Sequence, residues 1–216
     1  EYKFEKILYV VGNEQKLHFT QLKRLIAKMG YDFADDIEHV NFGLYLTNGK
    51  KMSTRRGKVV KLYDVLMKAI ELAYNQINQK NPDLQNKNEI AKAVGIAAIV
   101  FGDLKNFRGL DAEFDIEQSV KFEGQTGPYL QYTGVRIASI IKDKTFSMEN
   151  MDLSVFEKPH YFELIRQIAS FKSIIEKAAS EYAPSVVAKY LLGLAQSFNK
   201  FYSVEKINVE EESIRN

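Results

Sequence analysis

Cysteine is absent from this 216-residue sequence, and proline and histidine are scarce, with four and three residues. Without cysteine the chain forms neither a disulfide framework nor a thiolate zinc site. The three histidines are too scattered along the sequence for a metal site made of histidine alone. No apolar run approaches the ~20 residues of a membrane-spanning helix, and the first residues have the pattern of neither a signal peptide nor a transit peptide. We therefore expect a cytoplasmic protein that does not associate with a membrane.

A strong imbalance of charge is also lacking, because 30 basic residues stand against 28 acidic ones, for a net charge of +2. Overall charge therefore gives no argument for nucleic-acid binding, and any such argument must come from local clusters. Hydrophobic residues make up 45% of the chain, which excludes wholesale disorder. At ~100–200 residues per domain, the length corresponds to one or two domains.

The sequence begins with a strand pattern. Residues 7–11, Ile-Leu-Tyr-Val-Val, form a continuous apolar run that predicts a buried parallel strand. Gly12 ends it, and a helix is predicted from Glu14 to Met29, with Gly30 after its end. This order is typical of the last βα unit of a larger parallel α/β domain, so we expect the sequence to be a fragment of a longer protein.

Most of the remaining chain is predicted to be helical. A second strand is predicted over 40–46, followed by a hairpin turn at Asn48-Gly49, and Gly127-Pro128 is typical of a helix start. Helices are predicted at about 62–79, 90–104, 127–143, 160–182 and 184–204. We expect an α/β domain over about 1–80 and an α-helical bundle over about 81–216.

A basic segment follows the predicted hairpin. From Lys50 to Lys61 there are six basic residues and no acidic one. Adjacent lysines on a glycine-flanked loop can surround a polyphosphate, and they help most where negative charge develops in a transition state. The alternative is a solvated, charged hairpin tip. The order Lys51-Met52-Ser53 between flanking glycines resembles the KMSKS loop of class I aminoacyl-tRNA synthetases.

A second candidate segment lies upstream, over residues 12–19, where the predicted strand gives way to a helix. Ligands in open α/β sheets bind at the carboxyl ends of strands, and Gly12 would let the backbone approach a nucleotide. The alternative is an ordinary turn at Gly12 and a surface residue at His18. In class I synthetases a strand that ends in glycine, followed by a polar residue and a histidine, precedes the KMSKS loop by a few dozen residues, as here.

The third segment is the longest and most specific. Residues 124–132 read Gly-Gln-Thr-Gly-Pro-Tyr-Leu-Gln-Tyr, and they resemble the signature that begins the anticodon-binding helical domain of arginyl-tRNA synthetases. On a helix Tyr129, Tyr132 and Arg136 share one face. Exposed aromatic rings and arginine can stack on unpaired RNA bases. The alternative is a set of tyrosines packed between helices.

The resemblance covers essentially the whole chain. It implies the end of a class I Rossmann-type catalytic domain, followed by an anticodon-binding bundle that is truncated at its C-terminus. It also implies a bacterial-type enzyme that activates arginine with ATP, with Mg²⁺ as the counter-ion of ATP, and transfers it to arginine tRNAs; we expect a monomer. Two departures are that Thr54 replaces the second lysine of KMSKS and that no His-x-Gly-His occurs. We therefore expect the 216-residue chain alone to be inactive.

The resemblance also implies roles for individual residues. The catalytic residues, which would hold the polyphosphate, are Lys51 and Ser53. Those that would bind ATP and the amino acid are Gly12, Glu14, Gln15, His18, Lys50, Met52 and Arg55. Those that would bind tRNA are Tyr129, Tyr132, Arg136 and Tyr202. No carboxylate cluster in the sequence marks a metal site. Two rival interpretations are a non-catalytic RNA-binding module from a truncated homologue and a helical adaptor for protein partners.

Overall fold

The computed structural model forms two compact units, each of which contains two separate stretches of the chain. The structure describes residues 4–47, 49–51, 60–142 and 153–205. The first unit contains the described residues of 1–59 and 106–115, and the second contains those of 60–105 and 116–216. These divisions differ from a single boundary at residue 80, since residues 60–80 are in the helical unit and a later segment returns to the α/β unit.

The first unit contains a βαβ element made of strand β1 (Ile7–Gly12), helix α1 (Lys16–Lys28) and strand β2 (Ile37–Phe42). The two strands are parallel, with Ile7 opposite Ile37 and Gly12 opposite Phe42, which confirms the predicted parallel strand. The prediction that β1 is buried is wrong within the residues that the structure describes, because Val10 is 67% exposed. Among the residues that the structure describes, β1 pairs with β2 alone, so its other edge has no strand partner there.

A small second sheet completes this unit. Strand β3 (Tyr45–Thr47) pairs antiparallel with β4 (Lys50–Lys51) and parallel with β5 (Ala112–Glu113). The antiparallel pairing across positions 48 and 49, with a φ of +69° at Gly49, confirms the predicted hairpin. The prediction of a single strand over 40–46 is wrong, because β2 ends at Phe42 and β3 begins at Tyr45. The interruption is at Gly43, whose N–H donates to the carbonyl of Arg108 at 2.7 Å.

The second unit is helical. Its helices are α2 (Leu62–Lys80), α3 (Lys87–Leu104), α4 (Ile116–Ser119), α5 (Gly127–Ile141), α6 (Pro159–Ala169), α7 (Phe171–Ser180) and α8 (Pro184–Val204). The pair α2 and α3 packs closely through small residues, since Ala69, Ala73, Ala91 and Ala98 are all buried. A Cβ at Gly95 would lie 2.7 Å from the Cα of Ile70, so glycine permits this approach.

The five helices predicted for this unit all exist, with one correction. The helix predicted at about 160–182 is divided at Ser170 into α6 and α7. The Ser170 hydroxyl donates to the carbonyl of Gln167 at 2.7 Å, and its N–H bonds the carbonyls of Arg166 and Gln167. Side-chain bonding to nearby carbonyls competes with a continuous helix. No helix in the described ranges is long and apolar enough to cross a membrane.

Candidate functional site

The carboxyl ends of β1 and β2 are joined by a network of polar side chains. Asn13, directly after β1, donates from Nδ2 to the carbonyl of Gly109 at 3.0 Å and accepts from Asn41 Nδ2. Arg108 donates to the backbone carbonyl of Asn41 at 2.6 Å and to its Oδ1 at 2.9 Å. Our sequence reasoning missed these three residues. The available signal for Asn13 and Asn41 was a polar residue at the end of each strand, whereas Arg108 follows no strand.

Glu14 and Lys51 meet beside this network. The Lys51 ammonium lies 3.0 Å from Glu14 Oε1, although the residues are 37 positions apart. The pKa of Glu14 is lowered, first by a hydrogen bond from its own backbone N–H and then by Lys51. Lys51, on strand β4, therefore lies at the first turn after β1, the turn at which the sequence analysis expects a nucleotide.

The other predicted residues near Glu14 are less closely associated. Gly12 ends β1, and Gln15 and His18 lie exposed at the start of α1. Among the described contacts, the His18 ring packs edge-on against Phe19 at 5.4 Å, and neither Gln15 nor His18 is joined to Lys51. His39 has a structural role, because it bonds the carbonyl of Val11 at 3.0 Å and stacks on Phe19 at 4.4 Å.

The hairpin formed by β3 and β4 contains the first two residues of the basic segment. Two carboxylates from a distant part of the chain bond to backbone N–H groups at its start and at its turn. Asp111 accepts from the N–H of Leu44 at 2.7 Å, and Glu113 accepts from the N–H of Gly49 at 3.3 Å. Lys50 lies exposed on β4. Met52, Ser53, Thr54 and Arg55 lie outside the described residues. In the described ranges no group of three or more metal-ligating side chains is suited to hold a metal ion.

The contacts at the start of α5 account for three residues of the 124–132 segment. Thr126 caps the helix by accepting from the N–H of Tyr129 at 3.2 Å, and its hydroxyl donates to the carbonyl of Lys121. Pro128 follows at the first turn and is fully buried. A Cβ at Gly127 would lie 2.5 Å from the carbonyl oxygen of Ala97. These residues fix α5 against α3.

The aromatic residues and arginine predicted for RNA binding come together between α5 and α8. The Arg136 guanidinium lies over the rings of Tyr132 and Tyr202, 4.8 Å from each centroid, and donates to the Tyr132 hydroxyl at 2.9 Å. Tyr132 and Tyr202 are 48% and 41% exposed. Tyr129 is half-buried, with its hydroxyl accepting from Asn199 at 2.9 Å. We call Tyr129, Tyr132, Arg136 and Tyr202 the tyrosine–arginine cluster.

Asn199 is the residue of this region that our sequence reasoning missed. Its Nδ2 also donates to the Thr133 hydroxyl at 2.9 Å, and its Oδ1 accepts from Arg136 Nη1 at 2.5 Å. It is one of several polar residues on α8, and the sequence does not indicate which of them bonds to α5.

Comparison with known protein families identifies the family to which the chain belongs. The family profile "tRNA synthetases class I (R), catalytic domain" matches residues 1–116, and "DALR anticodon binding domain" matches residues 130–216. The chain therefore belongs to the class I tRNA synthetase family whose letter, R, denotes arginine. This confirms the resemblance and the predicted fold class.

Individual relatives agree with this family. The arginine–tRNA ligases of Enterococcus faecalis and Pediococcus pentosaceus are 46% and 47% identical over 97% and 98% of this chain. The structure of Thermus thermophilus arginyl-tRNA synthetase matches 98% of this chain with a TM-score of 0.86 at 30% identity. That of Plasmodium falciparum, at 23% identity, shares the fold with a TM-score of 0.77. The chain spans about 37% of the length of the two ligases and 36% of the Thermus chain.

Proposed function

We propose that the chain is part of an arginine–tRNA ligase, which activates arginine with ATP and transfers the arginyl group to its tRNA. One observation carries the proposal: a single chain joins the class I (R) catalytic match over 1–116 to the anticodon-binding match over 130–216. The basic segment lies in the first match. Of the tyrosine–arginine cluster, Tyr129 lies just before the second match and the other three residues lie within it.

For the activation step, we assign Lys51 and Ser53 to the polyphosphate of ATP, with Lys50, Met52 and Arg55 assisting. Gly12, Glu14, Gln15 and His18 would line the ribose and amino-acid side. Support comes from the position of the Lys51 ammonium, 3.0 Å from Glu14 just after β1. A cation there can stabilise negative charge that develops on the leaving pyrophosphate. Mg²⁺ would enter with ATP and neutralise its phosphates, and we assign no protein ligand to it.

For tRNA binding, we assign the tyrosine–arginine cluster to the anticodon loop. Its support is the exposure of Tyr132 and Tyr202 next to a guanidinium, since aromatic rings and arginine bind unpaired bases by stacking. The same proposal places a monomeric protein in the cytoplasm, where tRNA is charged.

The test is ATP-dependent charging of tRNA by the natural full-length protein, with each amino acid in turn. We expect charging with arginine alone. Binding of tRNA without any charging would support the rival RNA-binding module, and charging with another amino acid would contradict the proposal. The 216-residue polypeptide by itself should show no arginine-dependent exchange between ATP and pyrophosphate, because it has no His-x-Gly-His motif.

A further inference from the structure

Arg136 is held by neutral groups. Its partners are the Asn199 amide, the Tyr132 hydroxyl and the faces of Tyr132 and Tyr202. Among the described residues no carboxylate forms an ion pair with it. A fully buried arginine is almost always paired, and an acidic partner would cancel its charge. Here the positive charge is fixed in place and kept.

Asn199 fixes the guanidinium through a unique amide orientation. Arginine has donors only, so the amide oxygen of Asn199 must face Arg136. The amide nitrogen then faces the hydroxyls of Tyr129 and Thr133, both at 2.9 Å. Thr133 in turn donates to the carbonyl of Tyr129 at 3.0 Å. One neutral side chain on α8 therefore ties three residues of α5 together.

The stacking geometry limits what each ring can do. Arg136 lies over one face of Tyr132 and one face of Tyr202, so neither of those faces is open to a base. Tyr202 also has Phe198 nearly parallel to it, with centroids 6.1 Å apart. Tyr132 is the more exposed of the two tyrosines. A base therefore has better access to Tyr132, next to the fixed positive charge.

We propose that Asn199 is a positioning residue for RNA binding, which orients the Arg136 guanidinium beside Tyr132 without neutralising it. The inference rests on the proposed function and adds to it a reason for an amide at position 199. The RNA that fits this arrangement presents an unpaired base to Tyr132 and an adjacent phosphate to Arg136.

The decisive variant is Asn199→Asp in the natural full-length protein. Aspartate keeps the acceptor for Arg136, and the hydroxyl of Tyr129 can rotate to donate to the second carboxylate oxygen. The Thr133 hydroxyl already donates to the carbonyl of Tyr129, so its bond to position 199 is lost. The new ion pair with Arg136 offsets this loss, and thermal unfolding should stay close to wild type. The new carboxylate neutralises Arg136. Affinity for an RNA hairpin with the anticodon loop of an arginine tRNA should fall about tenfold or more, since bonds to charged groups carry this much energy. The salt slope should shrink by about 0.7, the value for one phosphate of a single strand.

Two further variants test whether Asn199 acts by positioning Arg136. One controls for an added negative charge on α8, and the other controls for an effect that does not pass through Arg136. Gln196→Glu adds the same charge one turn away on an exposed position of α8 and should leave affinity within about twofold of wild type, because exposed charges are screened. Asn199→Ala should weaken binding about tenfold in the wild type but have no further effect when Arg136→Ala is already present.

The inference is overturned if Asn199→Asp binds the hairpin with wild-type affinity and salt slope, or if the effects of Asn199→Ala and Arg136→Ala add independently. A different result would show that the proposed function itself is wrong. In that case the wild-type protein would bind the anticodon hairpin no better than a hairpin with a scrambled loop, whatever the variants do.

Discussion

The ammonium of Lys51 and the carboxylate of Glu14 lie 3.0 Å apart, and thereby join the basic loop to the first turn after β1. Both side chains are more than half exposed, so the ion pair contributes little to the stability of the fold. Its consequence is positional. It keeps a cation at the carboxyl end of β1, where nucleotides bind in parallel α/β sheets.

Replacing Lys51 with alanine in the full-length protein should slow arginine activation more than it weakens ATP binding. The lysine is assigned to charge that develops as pyrophosphate leaves, and interactions made only in the transition state change kcat. Loss of one such contact typically costs ~2.7–4 kcal/mol. The measurement is arginine-dependent ATP–pyrophosphate exchange as a function of ATP concentration.

Lys50→Ala is the matched control, because Lys50 is the adjacent exposed residue of the same strand and the described contacts give it no ion pair. Its kcat should fall much less. A change in the KM for ATP alone with Lys51→Ala, or equal losses in both variants, would contradict the role assigned to Lys51.

The ion pair also predicts a pH dependence. The pKa of Glu14 lies below its ordinary value of 4.5, with a backbone hydrogen bond as the first cause and Lys51 as the next. Because the folded pKa is lowered, the stabilisation is present above pH 4.5 and is lost as the pH falls through the folded pKa. In Lys51→Ala the Glu14 pKa should rise but stay below 4.5, since the backbone bond remains. Carboxyl carbon NMR titration of Glu14 measures this, and an unchanged pKa would show that the ion pair is not formed in solution.

Tyr132→Ala should weaken tRNA binding by roughly 1–3 kcal/mol, the usual contribution of one base-stacking aromatic ring. Arginine activation should be nearly unchanged, because the residues assigned to it are in the other compact unit. Since Tyr132 is 48% exposed, thermal unfolding should change little.

Val135→Ala provides the control for this variant, as Val135 is on the same helix and is 67% exposed. It should retain full affinity for tRNA. The alternative of a tyrosine packed between helices predicts a different pattern for Tyr132→Ala: a loss of ~3 kcal/mol or more in stability, with normal affinity for each folded molecule.

Two glycines in the helical unit should respond to alanine with opposite signs. At Gly95 a Cβ would lie within 2.7 Å of the backbone of Ile70, and such overpacking costs about 1–3 kcal/mol. At Gly134, also inside a helix, a Cβ meets nothing within 4 Å, and alanine should stabilise the unit by about 0.5–1 kcal/mol. Denaturant unfolding of Gly95→Ala and Gly134→Ala measures both. A stable Gly95→Ala variant would show that α2 and α3 can separate at little cost.

The helices could be predicted from the sequence because their signals are local. Apolar spacing determined α2 and α8 to within a few residues, and Gly127 and Pro128 marked the start of α5. The interruption at Ser170 was missed, since apolar periodicity continues through α6 and α7 and does not report how a serine hydroxyl bonds the preceding turn. The strand predicted over 40–46 failed for a related reason: the partner of Gly43 is Arg108, which is far along the chain.

The sequence by itself determined the family and the basic segment, and it marked Tyr129 and Tyr132, because motifs of a few adjacent residues carry that information. Only the tertiary structure decided which side chains meet. Lys51 finds Glu14 across 37 positions, Arg108 finds Asn41 across 67, and Asn199 finds Tyr129 across 70. Such pairs depend on the register of the strands and on which helix faces pack together. The register and the packing faces are determined by how the whole chain buries its apolar surface, and a short stretch of sequence supplies only a part of that surface.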